Sequence, residues 1–304
     1  MAVHVVGNVC VDTTFRLEHF PVPGETLNAS GHADGIGGKG ANQAIAASRT
    51  GADVTLWAAI GGDAAGGWIT NRLAAESLAC RLTAKPLPTD RSAVLVESGG
   101  ENIIVTGSQC AEAFDPGTET DIAGRIEPGD IVVMQGNLSP RATAACLELA
   151  RLRGASTVLN PSPLPAEAGL ALPPADIVIV NEGEAQALTR CDDPEQAAAE
   201  LLRQGAGIVL ITLGAQGCLI AKAQTGSIRH LPAPAVTAVD TSGAGDVFCG
   251  IFAGGIDLGR TPTEAAGLAI AAAAIAVGRS GTSESCPSRA EIRDLIRTLE
   301  TEKP

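Results

Sequence analysis

The chain has no tyrosine, two tryptophans and five phenylalanines, so aromatic side chains make up only 2% of its 304 residues. Its core must therefore be filled by Ala, Val, Ile and Leu, and few rings are left to form stacking platforms for nucleic-acid bases. Cations are scarce as well. Against 34 Asp and Glu stand 21 Lys and Arg, a net charge of −13 that argues against nucleic acid or an anionic membrane as partner. Any anion site must be local. No apolar run can cross a bilayer without glycine or charge, since even the Ala-rich stretch 265–277 has only the length of a buried helix. The eight cysteines form no C-x-x-C pair and have no histidine at metal-ligand spacing, while the N-terminus carries neither a basic region nor a cleavage signal. A soluble, cytoplasmic protein with reduced thiols is expected. His4, His19, His32 and His230 are isolated, so no Ser-His-Asp or Cys-His arrangement can be assembled.

What is present is a regular alternation. Short β-branched runs at 3–6, 54–58, 131–134, 157–159, 177–180 and 208–212 read as buried strands. Helical periods at 41–49, 66–78, 140–153 and 194–204 lie between most of them, several closed by a glycine (Gly51, Gly154, Gly205). This rhythm predicts one α/β domain over 1–304 with a doubly wound, mostly parallel sheet flanked by helices, and ligands at the C-terminal ends of the strands. Two segments break it. Residues 12–34, with a Pro-Val-Pro-Gly turn, and residues 91–106, a hairpin around Ser-Gly-Gly-Glu, predict a small β flap. A further hairpin, 217–221 with 227–231, is expected at the edge of the main sheet, and the chain beyond Gly243 is expected to be nearly all helical, ending in helix 289–299 and a polar tail.

The segment richest in chemistry is D-T-S-G-A-G-D, residues 240–246, followed at once by an apolar helical run. Gly243, Ala244 and Gly245 bare backbone N–H groups at a helix start, where the macrodipole also favours an anion. Asp246 ends that turn. A carboxylate beside an anion site suits a base that takes a proton from a hydroxyl attacking a phosphate, although first-turn helix capping would also accommodate it. A second glycine cluster, G-I-G-G-K-G-A-N-Q-A over 35–44, contains G-x-G-x-x-G, but it does not follow the first strand as a dinucleotide fingerprint would. It is no Walker A loop either, because glycine follows Lys39. Lys39 and Asn42 share that helix start and could face a small polar ligand.

With N-E-G-E at 181–184 and T-L-G-A-Q-G at 212–217, these motifs resemble, in order and over nearly the whole chain, the signatures of the PfkB carbohydrate kinases, ribokinase-like members in particular. F-P-V-P-G-E at 20–25 and N-P-S-P at 160–163 fit as well. The resemblance implies ATP-dependent phosphorylation of a primary hydroxyl of a small sugar, on a Rossmann-like core with a β lid formed by 12–34 and 91–106, and a homodimer joined through that lid. It implies Asp246 as base and the N–H groups of Gly243, Ala244 and Gly245 as anion hole. Asn181 and Glu184 would organise Mg²⁺ mainly through water, Thr212, Gly214 and Gly217 would line ATP, and Asp12, Gly38, Lys39 and Asn42 would hold sugar hydroxyls. Asp240 and Ser242, with loop 281–285, match the region where some relatives bind a monovalent cation, so K⁺ activation is expected.

Two departures bear on the sugar. Cys10 stands where ribokinase has a sugar-binding Asn, and Asn137 falls where it offers a Glu, in a loop one residue longer. A thiol is a weak hydrogen-bonding group, so strict preference for ribose is not expected. A nucleoside kinase would need an aromatic or apolar base pocket, for which the chain has few rings. A non-catalytic sugar-binding protein would need a broken site, whereas Asp246 and its glycines are intact.

Overall fold

The computed structural model describes residues 1–99, 101–164 and 172–301. Seven strands run parallel: β1 (Val3–Val6), β4 (Val54–Gly61), β5 (Ala79–Lys85), β8 (Ile131–Gln135), β9 (Ser156–Asn160), β10 (Ile177–Asn181) and β11 (Ile208–Thr212). The antiparallel hairpin β12 (Cys218–Lys222) and β13 (Ser227–Leu231) closes one edge, as expected, giving the order β13-β12-β11-β10-β9-β8-β1-β4-β5. The inner strands are apolar on both faces because helices cover both. Alternate residues feed two cores. Val5, Leu56, Val133 and Leu210 pack under α1 (Lys39–Arg49), α2 (Ala64–Leu73), α9 (Ala244–Asp257), α10 (Pro262–Val277) and α11 (Arg289–Thr301). Val6, Trp57, Met134 and Ile211 pack under α6 (Pro140–Leu152), α7 (Glu182–Thr189) and α8 (Pro194–Arg203). This is the doubly wound α/β fold that the alternation predicts.

Strand β1 has β8 on one side and β4 on the other, so the winding reverses there. Crevices open at the C-terminal ends of strands at such a point. Residues that follow β1 and β8 are therefore placed to meet a ligand.

The flap strands do pair into a second sheet, β3-β2-β6-β7, built from β2 (Cys10–Arg16), β3 (Gly31–Gly37), β6 (Arg91–Val96) and β7 (Asn102–Gly107). Its first two strands extend beyond 12–34 at both ends. Gly100, in the turn of the expected hairpin, and residues 302–304 of the polar tail lie outside the described residues. The helix expected through residue 78 stops at Leu73, because the chain turns back to pair β5 along β4. That strand escapes a search for apolar runs, since Arg81 and Lys85 interrupt a half-exposed edge. The four-residue helices α3 (Gln109–Glu112), α4 (Pro116–Glu119) and α5 (Ile122–Arg125) are too short to display a period. Among the described residues no helix is long and apolar enough to cross a membrane.

Candidate active site

Helices α1 and α9 cross at two glycines. A Cβ on Gly250 would lie 2.3 Å from the Gln43 carbonyl oxygen, and one on Gly254 would lie 2.4 Å from Thr50 Oγ1. Only hydrogen at these positions, about one turn apart, lets the two helices come so close. Their approach carries Asn42 and Gln43 onto the first turn of α9, where Asp246 is 6% exposed. Asn42 Nδ2 donates to Asp246 Oδ2 at 3.1 Å, and Gln43 Nε2 donates to Oδ1 at 3.0 Å. Each oxygen of a buried carboxylate thus has an amide donor, as burial requires. Lys39, the first residue of α1, completes the balance. The negative charge of Asp246, and after it that of Glu184, holds the Lys39 ammonium above its ordinary pKa against the opposing pull of burial.

Behind this pair lies a buried amide network. Gln43 Nε2 also donates to Asn160 Oδ1 at 3.2 Å, its Oε1 accepts from Gln135 Nε2 at 2.9 Å, and Asn160 Nδ2 donates to the Ile179 carbonyl at 3.0 Å. These residues come from α1, the ends of β8 and β9, and β10. The topological switch brings them together.

The loop before α9 is pinned by Asp240, whose Oδ1 accepts from the Ser242 N–H at 2.8 Å and whose Oδ2 accepts from the Gly281 N–H at 3.1 Å. Gly243 caps the helix at φ 76, and a Cβ there would sit 2.9 Å from the Thr282 carbonyl oxygen. The Ala244 N–H turns back to the Thr241 carbonyl at 3.3 Å, whereas those of Gly243 and Gly245 have no backbone acceptor among the described residues. Two of the three expected anion-hole donors are therefore open, and the third is partly spent. Among the described residues nothing outside its own helix lies within 4 Å of where a Gly245 Cβ would be. That opening joins a cavity of about 230 Å³ bounded also by Lys39, Asn181, Glu184, Thr212 and Asp246.

The N-x-x-E segment proves to be a capping box for α7. Glu184 N–H donates to Asn181 Oδ1 at 2.7 Å, and Asn181 N–H donates to Glu184 Oε2 at 2.9 Å. Glu184 is thus neither a plain solvated charge nor wholly given over to a ligand, for its other oxygen has no hydrogen-bond partner among the described residues. A cleft of about 770 Å³ adjoins it, lined by Asn181, Thr212, Gly214, Gly217 and Gly245 together with the apolar Phe248, Ile270 and Val277.

Asp12, Asp240 and Ser242 line a third cavity, about 360 Å³, between the second sheet and the loop 280–284. A Cβ on Gly37 would stand 2.0 Å from Asp12 Oδ1, so the β3 glycine makes room for that carboxylate. Burial pushes the Asp12 carboxyl above its usual pKa, while hydrogen bonds from Cys10 and Ser92 act the other way. Cys10 does not line this cavity. It is 1% exposed and lies behind Asp12, with Sγ donating to Asp12 Oδ1 at 3.2 Å and standing 3.4 Å from Ser92 Oγ. Burial pushes the thiol well up, so it stays a donor.

Gly38, Asn42 and Asn137, also expected to meet the sugar, line none of the three cavities. Gly38 is the α1 N-cap at φ 92, pressed against Val9, and Asn42 turns to Asp246 instead. Asn137 keeps a buried Oδ1 without a partner among the described residues. Lys39 faces the Glu184 cavity and is absent from the lining of the Asp12 cavity. Gln43, Gln135 and Asn160 were given no site role from sequence, although Gln43 and Asn160 stand in quoted motifs. The available signal for Gln43 was its place beside Asn42 at a helix start.

The profile of the pfkB family carbohydrate kinases matches residues 2–289. Ribokinase of Mus musculus is 34% identical over 264 residues, which span 83% of this chain and 80% of that one. The crystal structure of ribokinase from Thermotoga maritima is similar at a TM-score of 0.87 and 29% identity, over 97% of this chain and 99% of the other. Arabidopsis thaliana ribokinase complexed with ribose and ATP is similar at a TM-score of 0.84 and 26% identity, over 97% and 98%.

Proposed function

This chain belongs to the pfkB family of carbohydrate kinases, and on that premise we propose that it transfers the γ-phosphoryl group of ATP to a primary hydroxyl of a small sugar, with Asp246 as base. It is a carbohydrate kinase that phosphorylates a sugar with ATP. The observation that carries the proposed mechanism is one buried carboxylate, ordered by two amides, in the same turn as open backbone N–H groups.

Phosphoryl transfer asks for in-line positioning, charge neutralisation and a proton acceptor. The sugar lies in the Asp12 cavity with the second sheet as lid, within one domain over 1–304, and ATP lies in the long cleft with its phosphates at Gly245. As the hydroxyl oxygen bonds to phosphorus, Asp246 takes its proton while ADP leaves. The N–H groups of Gly243 and Gly245, with Lys39, face the charge on the transferring group. Lys39 thus belongs to the phosphate side. Mg²⁺ fits this donor set if held mostly through water, because Glu184 keeps one oxygen outside its capping box and no cluster of three acidic, His or Cys ligands exists among the described residues. When bound, that ion supplies further neutralisation of the phosphates.

Each oxygen of Asp240 carries a single N–H and retains a lone pair, which supports K⁺ bound by Asp240 and Ser242 beside the anion hole. Equal rates in Na⁺, K⁺ and a large organic cation would remove that part. The exposed Ile103, Ile104 and Val105 on β7 support a homodimer through the lid, and eight unpaired cysteines support a reducing, cytoplasmic location. The test of function is ADP release with Mg-ATP across pentoses, hexoses, ketoses, sugar acids and nucleosides. A pentose or a close analogue is expected to lead. Turnover of nucleosides alone would replace the substrate class, and silence across all by folded protein would point to a binding role.

A further inference from the structure

We propose that Gln43 is the positioning residue of Asp246, aiming its carboxylate through a chain of amides whose direction is imposed from the central sheet. The inference rests on the reading of Asp246 as the base. Its logic begins at the Ile179 carbonyl, which can only accept. Asn160 must therefore turn Nδ2 toward it, at 3.0 Å, and present Oδ1 to Gln43 at 3.2 Å. On its other side Gln43 meets Asp246 Oδ1 at 3.0 Å, again only an acceptor when ionised. Both hydrogens of Gln43 Nε2 are thereby committed. A flipped amide would set Oε1 against two acceptors.

The far end of Gln43 is held as firmly, since its Oε1 accepts from Gln135 Nε2 at 2.9 Å. Gln43 is 0% and Gln135 1% exposed, which leaves no solvent to substitute for a lost bond. Gln135 makes this contact at the expense of its own Oε1, which is buried without a partner among the described residues, next to Gly7, where a Cβ would stand 1.9 Å from it. A stranded buried acceptor is costly, so its presence indicates that the orientation delivered to Gln43 is needed. Gln43 lines none of the three cavities and so acts only through Asp246.

The experiment measures kcat and both KM values, with Mg-ATP and the sugar turned over fastest in the screen, for Gln43→Leu, Gln43→Glu, Asp246→Asn and the double variant Gln43→Leu with Asp246→Asn. Gln43→Leu removes the donor and should lower kcat by about 10- to 100-fold with KM for ATP unchanged. Gln43→Glu keeps length and the acceptor for Gln135 but opposes Asp246 with another acceptor, so it should lose at least as much at neutral pH. That variant also serves if the leucine fails to fold. In the Asp246→Asn background, Gln43→Leu should cost nothing further, because the group it aims is gone. The same fold-loss in both backgrounds, or wild-type kcat in the Gln43 single variants beside an inactive Asp246→Asn, overturns the positioning role. Wild-type turnover in Asp246→Asn overturns the base reading instead.

Discussion

Gly250→Ala places a methyl group far from any substrate yet should reach the chemistry. Its Cβ would lie 2.3 Å from the Gln43 carbonyl oxygen, 2.6 Å from Ala46 Cβ and 3.0 Å from the Ala47 nitrogen, where ordinary contact begins at 3.4 Å. Two of these atoms are α1 backbone and cannot rotate away, so α1 must withdraw from α9 by about 1 Å. The bonds from Asn42 and Gln43 to Asp246, at 3.1 and 3.0 Å, would then open to distances where little hydrogen bonding survives. Overpacking of this kind costs about 1–3 kcal/mol, and each kcal/mol lowers Tm by about 2–4 °C in a chain somewhat smaller than this one. A misplacement near 1 Å at a catalytic group costs about 10²-fold in rate. Steady-state kinetics beside thermal melts should therefore show a modest loss of Tm, a large loss of kcat and little change in KM for ATP. A variant with lowered Tm and wild-type kcat would refute the claim that the α1–α9 crossing sets the base.

The opposite pairing of effects is expected at Gly245. Among the described residues alanine there meets nothing outside its own helix within 4 Å and relieves a helical glycine, so Gly245→Ala should gain about 0.5–1 kcal/mol in denaturant melts while kcat falls, because the methyl enters the space of the transferring group; unchanged kcat would contradict the anion hole. Cys10→Ala should raise KM for the sugar and leave KM for ATP alone, with Cys10→Ser recovering much of the loss, and equal sugar KM in both variants and wild type would show that Asp12 needs no support from behind. Asp63 accepts from the Thr89 hydroxyl at 2.5 Å and the Thr89 N–H at 2.9 Å, and caps α2 by accepting from the Gly66 N–H at 2.9 Å, contacts that together hold its carboxyl from an ordinary 3.8 down to about 2. Because the folded pKa is the lower one, this stabilisation is complete above the ordinary carboxylate range and fades as pH falls from 3.8 toward 2. Asp63→Asn should thus lie below wild type in urea midpoint at pH 6 by well under the about 2 kcal/mol of a strong cap, given its exposure, and converge with it near pH 2; a constant gap would place the effect elsewhere.

Legibility tracked the range of the interactions. The inner strands and long helices were readable because burial on both faces writes β-branched runs and 3.6-residue periods into local sequence, whereas β5 and the single-turn helices carry no such trace. Asp246 was readable because a carboxylate among glycines at a helix start is locally odd. Gln43, Gln135 and Asn160 were not, since three amides at distant positions gain meaning only when the switch between β8, β1 and β4 converges them. The contacts of Cys10 were hidden for a related reason. Motif spacing gave its position in chain, and two residues apart in a strand means the same face as Asp12, but only the folded structure shows the thiol buried at 1% exposure and bonded to Asp12 and Ser92.

The central claim is that Asp246 accepts the proton of the attacking hydroxyl. Asp246→Asn keeps the shape of the side chain and removes the basic oxygen, so single-turnover phosphorylation beside equilibrium ATP binding tests it directly. The account predicts a rate lowered by about 10²–10⁴-fold with ATP affinity little changed. Near wild-type turnover in that variant would contradict it.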